Sequence, residues 1–263
     1  MESGKKRRLR RIFKSDNRTV IVPMDHGVTI GPITGLVNMQ NTIDKLLLGD
    51  VDAILINRGI AKNVDIGNVG LIIHLSGITA RCPEPNSKVQ ISSIEDAIRL
   101  GADAVSVHVN VGAKKEDSML ATLGKVACEC DDFGMPLLAM MYPRGPKIED
   151  SHAVEIVAHA ARLGAELGAD IIKTNYTGDA ESFKDVISCC PAPVVIAGGP
   201  KSETTMDILQ MVKDSIVAGG AGLSIGRNVF QHQDPTKMAK ALSALVHKET
   251  SVDEALNILG ESK

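Results

Sequence analysis

The chain has 263 residues, 44% of them hydrophobic and 23% charged, enough to bury one large core at the size where α/β barrels of roughly 250 residues fold as one unit. With no Trp, two Tyr, four Phe and 24 Gly, it lacks the aromatic surface on which sandwiches, carbohydrate platforms and base-stacking modules depend. The formal net charge is −3, and residues 1–14 hold seven Lys/Arg against one Glu, so the remainder is more acidic still and a nucleic-acid footprint spread over the fold is excluded.

The basic opening has no apolar stretch behind its charges, and no later run approaches the ~18 uncharged residues of a membrane span. Neither a secretion signal nor a membrane anchor is expected. The five Cys include Cys128-x-Cys130 and Cys189-Cys190, spacings that fit neither a disulfide framework nor a zinc site, so the chain is expected in the reducing cytoplasm. Lys5 to Arg11 reads either as an arm for RNA or an acidic partner, or as a terminal helix whose Leu9, Ile12 and Phe13 cover one end of the fold. The second reading is favoured, because one short basic stretch is a weak signal.

The first strand-like run, Thr19–Met24, ends in Met24-Asp25-His26-Gly27. Asp25 and His26 suit a general base and its partner, and Gly27 would let the backbone turn tightly; the competing reading has Asp25 capping that turn. A phrase then recurs: Leu48-Gly49-Asp50-Val51-Asp52-Ala53, Leu100-Gly101-Ala102-Asp103-Ala104 and Leu167-Gly168-Ala169-Asp170-Ile171, with a looser copy at Ala218-Gly219-Gly220-Ala221. Each places Gly where a helix would end and starts an apolar run two or three residues later, the pattern of an αβ junction. Further runs at Gly70–Leu75, Pro136–Met141 and Pro193–Ala197 bring the strands to eight, with helices between most of them. Ser93-x-x-Asp96 resembles a capping box, Ser151 is placed to cap a helix with Val154, Val157, Ala158, Ala161 and Leu167 facing inward, and Val252 to Leu259 reads as a terminal helix inside a tail of residues 248–263.

Strands that are apolar throughout are buried on both faces and therefore parallel. Eight of them alternating with helices fit an α/β fold of the (β/α)8 TIM-barrel class, a single domain over 1–263, and the absence of a G-x-G-x-x-G after the first strand weighs against a dinucleotide-binding sheet. In such a barrel, chemistry sits at the C-terminal ends of the strands. The fifth strand ends in Tyr142-Pro143-Arg144-Gly145, offering a phenol that can give a proton, or merely anchor the rim, and a guanidinium that can hold an anion. The sixth contains Lys173 between Ile172 and Thr174-Asn175, the one cation inside any of the eight runs. Burial disfavours its ammonium, which is what an amine nucleophile needs near neutrality. Gly198-Gly199 and Gly226-Arg227 follow the last two strands, where barrels commonly bind phosphate. The residues alone thus point to a Schiff base on Lys173 with a phosphorylated carbonyl substrate, and to carbon–carbon bond cleavage or formation.

The strings Ile21-Val22-Pro23-Met24-Asp25-His26-Gly27, Met141-Tyr142-Pro143-Arg144-Gly145, Lys173-Thr174-Asn175-Tyr176-Thr177-Gly178-Asp179, Ala197-Gly198-Gly199-Pro200 and Gly226-Arg227-Asn228-Val229-Phe230-Gln231-His232 resemble the archaeal-type class I, Schiff-base-forming aldolase family over nearly the whole chain. The resemblance implies Lys173 as the Schiff-base lysine, Tyr142 as proton donor and Asp25 as proton acceptor. It places His26, Gly27, Pro143, Arg144, Thr174, Asn175, Gly198, Gly199, Gly226 and Arg227 around the substrate. It further implies a homo-oligomer without metal or organic cofactor, transferring a three-carbon unit from 6-deoxy-5-ketofructose 1-phosphate to L-aspartate semialdehyde early in the route to 3-dehydroquinate and the aromatic amino acids. The rivals are a fructose-bisphosphate aldolase of the same family, which the same residues would serve, and a zinc-dependent aldolase using His26, His74 and His108, which no accompanying carboxylate triad supports.

Overall fold

The computed structural model describes residues 3–199 and 204–260. Eight parallel strands close into a barrel in the order β1 (Thr19–Pro23), β2 (Ala53–Asn57), β3 (Gly70–His74), β6 (Ala104–Val111), β7 (Leu137–Pro143), β8 (Ile171–Thr174), β9 (Val194–Ala197), β10 (Gly222–Ser224) and back to β1. The eight sequence runs are these eight strands, and the (β/α)8 expectation holds. A two-stranded antiparallel hairpin, β4 (Ser76–Gly77) with β5 (Val89–Gln90), is an addition that the sequence pattern does not signal.

Strand residues alternate between two cores. Ile21, Leu55, Ile72, Leu138, Met140, Ile171 and Val195 fill the barrel interior, while Val22, Ile54, Ile73, Val105, Ile172 and Ile196 face the helix layer. The long helices Glu116–Asp132, Val154–Glu166, Thr205–Val217 and Pro235–His247 bury their apolar stripes on that outer face. Helix ends mostly follow the expected chemistry. Ser93 Oγ accepts from the Asp96 N–H at 3.2 Å, although the Asp96 carboxylate turns to Arg58 at 2.7 Å rather than completing the box. The full reciprocal box lies at the terminal helix, between Ser251 and Glu254. Ser151 does not cap its helix: that helix begins after Ala153 with no side-chain cap, and the Ser151 carbonyl instead accepts from Asn175 Nδ2 at 2.9 Å.

The recurring phrase does more than end helices. Gly101, Gly168 and Gly219 take left-handed backbone as expected, but in the first copy Asp50 does so and Gly49 does not. Gly49 is needed for space, since a Cβ there would lie 2.4 Å from the Ala239 Cβ. The aspartates of the three full copies stand at the foot of the barrel. Asp52 accepts the Val20 N–H at 2.6 Å, Asp103 that of Leu71 at 3.0 Å and Asp170 that of Leu137 at 2.9 Å, each tying its own strand to a neighbour.

Those same carboxylates receive the basic opening segment. Lys14 reaches Asp52 at 3.2 Å, Arg11 reaches Asp103 at 2.9 Å, and the buried Lys5 reaches Asp170 at 2.9 Å and Asp131 at 2.6 Å. Ile12 enters the barrel interior with Leu9 and Phe13 packed against it. The terminal-helix reading of this segment therefore holds, with its helix at Ser3–Leu9, and three of its cations are committed to the barrel floor.

His247 joins this floor, its two ring nitrogens 2.7 Å from Asp16 and 2.9 Å from Asp52. Burial alone would lower its pKa, but the hydrogen bonds to Asp52 and Asp16 outweigh burial and raise it. A raised folded-state value means that the stabilisation is complete below the ordinary imidazole pKa of about 6.5 and is lost as pH rises through the raised value. The melting temperature should therefore fall as pH climbs above about 6.5, and His247→Gln should remove that component. Parallel pH profiles for the two proteins would refute the assignment.

Candidate active site

The same alternation that sorts the core decides which strand-end residues face the barrel axis. Ile171 points inward and Ile172 outward, so Lys173 points inward, beside Met140 of β7 and Val195 of β9 in register. Tyr142 follows Leu138 and Met140 on the inward face of β7, one layer above Lys173. By the same parity Asp25 follows Ile21 and Pro23, His74 follows Ile72, and Ser224 shares its face with Gly226. These side chains meet in one cavity at the C-terminal mouth, lined also by His26, Arg144, Asn175, Gly198, Gly199 and Arg227.

Lys173 is only 6% exposed, and among the described residues no hydrogen bond or ion pair occupies its ammonium. Asp25 precedes the short helix His26–Ile30, yet its side chain makes no capping bond, so the carboxylate is left for the cavity. The Asn57 amide donates to the Asp25 carbonyl at 3.1 Å and fixes that corner. Burial by itself would raise the Asp25 carboxyl, but the fields of His74, His26 and Lys173 override it and hold the pKa at about 2. Burial pushes both imidazoles below their ordinary value against the pull of Asp25, with Lys173 adding to the depression. At neutral pH the histidines are therefore uncharged, and Lys173 is the remaining basic group whose field acts on the carboxylate.

Among the described residues the cavity has a marked charge imbalance, with Lys88, Arg144, Lys173 and Arg227 set against the single carboxylate of Asp25. Arg144 lies 4.6 Å over the Tyr142 ring, where the cation holds the phenol in place. Arg227 opens a short helix after β10 and donates from one guanidinium nitrogen to the Gly199 carbonyl at 2.8 Å. Among the described residues its Nε has no hydrogen-bond partner, and Ser224 Oγ and His26 Nδ1 are buried nearby in the same condition, with Asp25 Oδ1 3.9 Å from the latter. Three unmatched polar atoms around one cavity are what a bound anion or polar ligand would satisfy. Gly226 is required by space, because a Cβ there would sit 2.5 Å from the Pro23 carbonyl oxygen.

Not every anticipated residue reaches the cavity. Thr174 points outward and donates to the Met141 carbonyl at 2.8 Å. Pro143 lines the neighbouring depression with Glu84 and Ser151. Gly27 lies in the helix His26–Ile30 with ordinary helical backbone and nothing within 4 Å of a built Cβ, so the tight turn assigned to it is replaced by a helical one. His74 and His108 do line the cavity, but His74 Nδ1 is 2.7 Å from Ser106 Oγ and His108 Nε2 is 2.9 Å from Asn110 Oδ1. Among the described residues no three His, Cys, Asp or Glu side chains are grouped to hold a metal ion. Lys88 is the cavity residue that sequence reasoning missed. No helix among the described residues is long and apolar enough to cross a membrane.

Residues 19–232 match the model of the DeoC/LacD family aldolases. The chain is 43% identical over 244 residues to the 2-amino-4,5-dihydroxy-6-oxo-7-(phosphonooxy)heptanoate synthase of Streptomyces griseus, covering 91% of this chain and 89% of that one. It is 44% identical over 257 residues to the 2-amino-3,7-dideoxy-D-threo-hept-6-ulosonate synthase of Halobacterium salinarum, covering 97% and 96%. Among solved structures, an archaeal fructose-1,6-bisphosphate aldolase with its catalytic lysine covalently bound to a carbinolamine intermediate superposes with a TM-score of 0.86 at 34% identity, over 92% of this chain and 99% of that one.

Proposed function

Because the chain belongs to the DeoC/LacD aldolase family, we propose that it is a Schiff-base transaldolase that moves a three-carbon ketone unit from 6-deoxy-5-ketofructose 1-phosphate to L-aspartate semialdehyde, giving 2-amino-3,7-dideoxy-D-threo-hept-6-ulosonate. The observation that carries this reading is the inward, hydrogen-bond-free Lys173 in a cavity whose cations outnumber its carboxylates.

Lys173 gives up a proton and its amine adds to the substrate ketone; that proton returns to the resulting hydroxyl, which leaves as water and gives an iminium that draws electrons from the adjacent carbon–carbon bond. That bond breaks as the β-hydroxyl proton passes to Asp25, releasing a phosphorylated aldehyde and leaving an enamine on Lys173. The enamine carbon then attacks the aldehyde carbon of the semialdehyde, Tyr142 protonates the new alkoxide, the proton held by Asp25 restores the Tyr142 phenol, and water returns the ketone and the free lysine. Asp25 can take the acceptor role because its carboxylate is ionised at neutral pH and makes no capping bond.

The two named synthases support a 2-amino-6-oxo seven-carbon product and differ at carbon 7, which is deoxy in one name and phosphonooxy in the other. The test is to supply 6-deoxy-5-ketofructose 1-phosphate, dihydroxyacetone phosphate or fructose 1,6-bisphosphate, each with and without L-aspartate semialdehyde, and to identify products by mass. The 7-deoxy amino acid should form only when the first donor and the semialdehyde are both present. Cleavage of fructose 1,6-bisphosphate with no use of the semialdehyde would replace this reading with that of a simple aldolase.

A further inference from the structure

Resting on the proposed function, in which Asp25 accepts the proton, we propose that His74 is the positioning residue for the Asp25 carboxylate and that Ser106 holds the His74 ring in the tautomer this needs. The side chains come from neighbouring elements of the barrel wall. His74 ends β3 and pairs in register with Ser106 of β6 on one side and with Asn57 of β2 on the other. Asn57 fixes the Asp25 main chain through its carbonyl, and His74 Nε2 stands 3.8 Å from Asp25 Oδ2. The backbone and the carboxylate of one residue are thus addressed from two adjacent strands.

The buried hydroxyl assigns the tautomer of the ring. Ser106 is fully buried, and its Oγ lies 2.7 Å from His74 Nδ1 with no other hydrogen bond among the described residues. Were the ring proton on Nδ1, the Ser106 O–H would be a buried donor with nothing to accept it, which is costly. The hydroxyl therefore donates to Nδ1, the ring proton sits on Nε2, and that N–H faces the carboxylate. The His74 side chain is buried, so bulk water does not compete for it. His26 offers its Nδ1 to the other oxygen at 3.9 Å, but among the described residues no hydrogen bond anchors that ring, which rests edge-on against Phe230. His74 is the imidazole whose orientation the fold dictates.

A separation of 3.8 Å lies beyond hydrogen-bond length, and contacts of this kind tighten when a substrate is seated. With Oδ2 engaged by His74, Oδ1 is the oxygen that takes the proton. As the carbon–carbon bond breaks, the β-hydroxyl proton passes to Oδ1 and the O–H electron pair becomes the second bond of the departing aldehyde's carbonyl. The carbon–carbon pair moves into the iminium and leaves the enamine. Lys173 also pulls on this carboxylate, and an ion pair between the two would occupy both the base and the nucleophile. A hold on Oδ2 from β3 opposes that pairing.

The test is a double-mutant cycle on turnover, read with whichever ketosugar phosphate the wild type cleaves, 6-deoxy-5-ketofructose 1-phosphate or fructose 1,6-bisphosphate. His74→Leu should lower kcat by about 10- to 100-fold, the scale of one charge-assisted hydrogen bond, with the KM for the ketosugar phosphate little changed and borohydride trapping on Lys173 intact. His74→Gln, whose amide nitrogen can take the place of Nε2, should recover most of the loss. In the Asp25→Asn background His74→Leu should cost nothing further, because a residue that acts through Asp25 has nothing left to act on. Ser106→Ala should give a smaller loss that likewise vanishes in the His74→Leu background. Losses that multiply in the double variant, trapping lost in both His74 variants, or wild-type kcat in His74→Leu would each overturn the assignment. Full turnover in Asp25→Asn would overturn it together with the proton-acceptor role. A wild type that cleaves a ketosugar phosphate but ignores the semialdehyde would overturn the proposed acceptor alone, and the cycle would still decide the place of His74.

Discussion

Lys173→Arg should reduce turnover to background, a loss of at least about 10⁴-fold, while the fold persists. A guanidinium keeps the positive charge opposite Asp25 but stays protonated at any relevant pH and cannot add to a carbonyl. Lys173→Met provides the neutral counterpart, with the same loss of chemistry and the charge removed. In the wild type, borohydride added with ketosugar phosphate should reduce the iminium and leave one covalent adduct, located by peptide mass at Lys173. Adducts on Lys88 or Lys201, or substantial activity in the arginine variant, would refute the mechanism even with the barrel intact.

Asp25→Asn should separate two halves of the reaction that Lys173 variants abolish together. The amide cannot take a proton, so carbon–carbon cleavage and formation should slow by about 10²- to 10⁴-fold, yet carbonyl addition by Lys173 needs no base at this position and borohydride trapping should survive. Circular dichroism controls for folding, since Asn fills the same volume. Equal losses of trapping and turnover would mean that Asp25 serves to position Lys173 rather than to accept the proton.

Much of this site is legible in the amino-acid order alone, for a physical reason. Parallel strands buried on both faces are apolar from end to end, so Lys173 stands out as the single cation inside them, and the strand ends point to Asp25, Tyr142 and Arg144 once a barrel is inferred. Lys88 is illegible because it lies in a polar connection whose Asn86-Ser87-Lys88-Val89 has no periodicity and no neighbours in sequence that mark it. Its place in the cavity wall comes from the β4–β5 pairing and from Asn110, 24 positions away from Asn86. Thr174 and Pro143 are implicated by adjacency to Lys173 and Tyr142, and strand alternation turns both away from the cavity. The repeated phrase is visible as a helix ending, but that its aspartates bind neighbouring strands and the opening segment depends on register between distant parts of the chain.

The order of those floor contacts bears on how the chain is made. Read backward along the opening segment, Lys14, Arg11 and Lys5 bind Asp52, Asp103 and Asp170 in turn. A ribosome delivers these acids in that same order, at roughly 5–20 residues per second. Lys14 thus has its partner within a few seconds, whereas Lys5 must wait for Asp131 and then Asp170, far later in synthesis. The segment that precedes the barrel is therefore docked from its C-terminal side backward, and the helix Ser3–Leu9 is held only after the acids that bind Lys5 have been made.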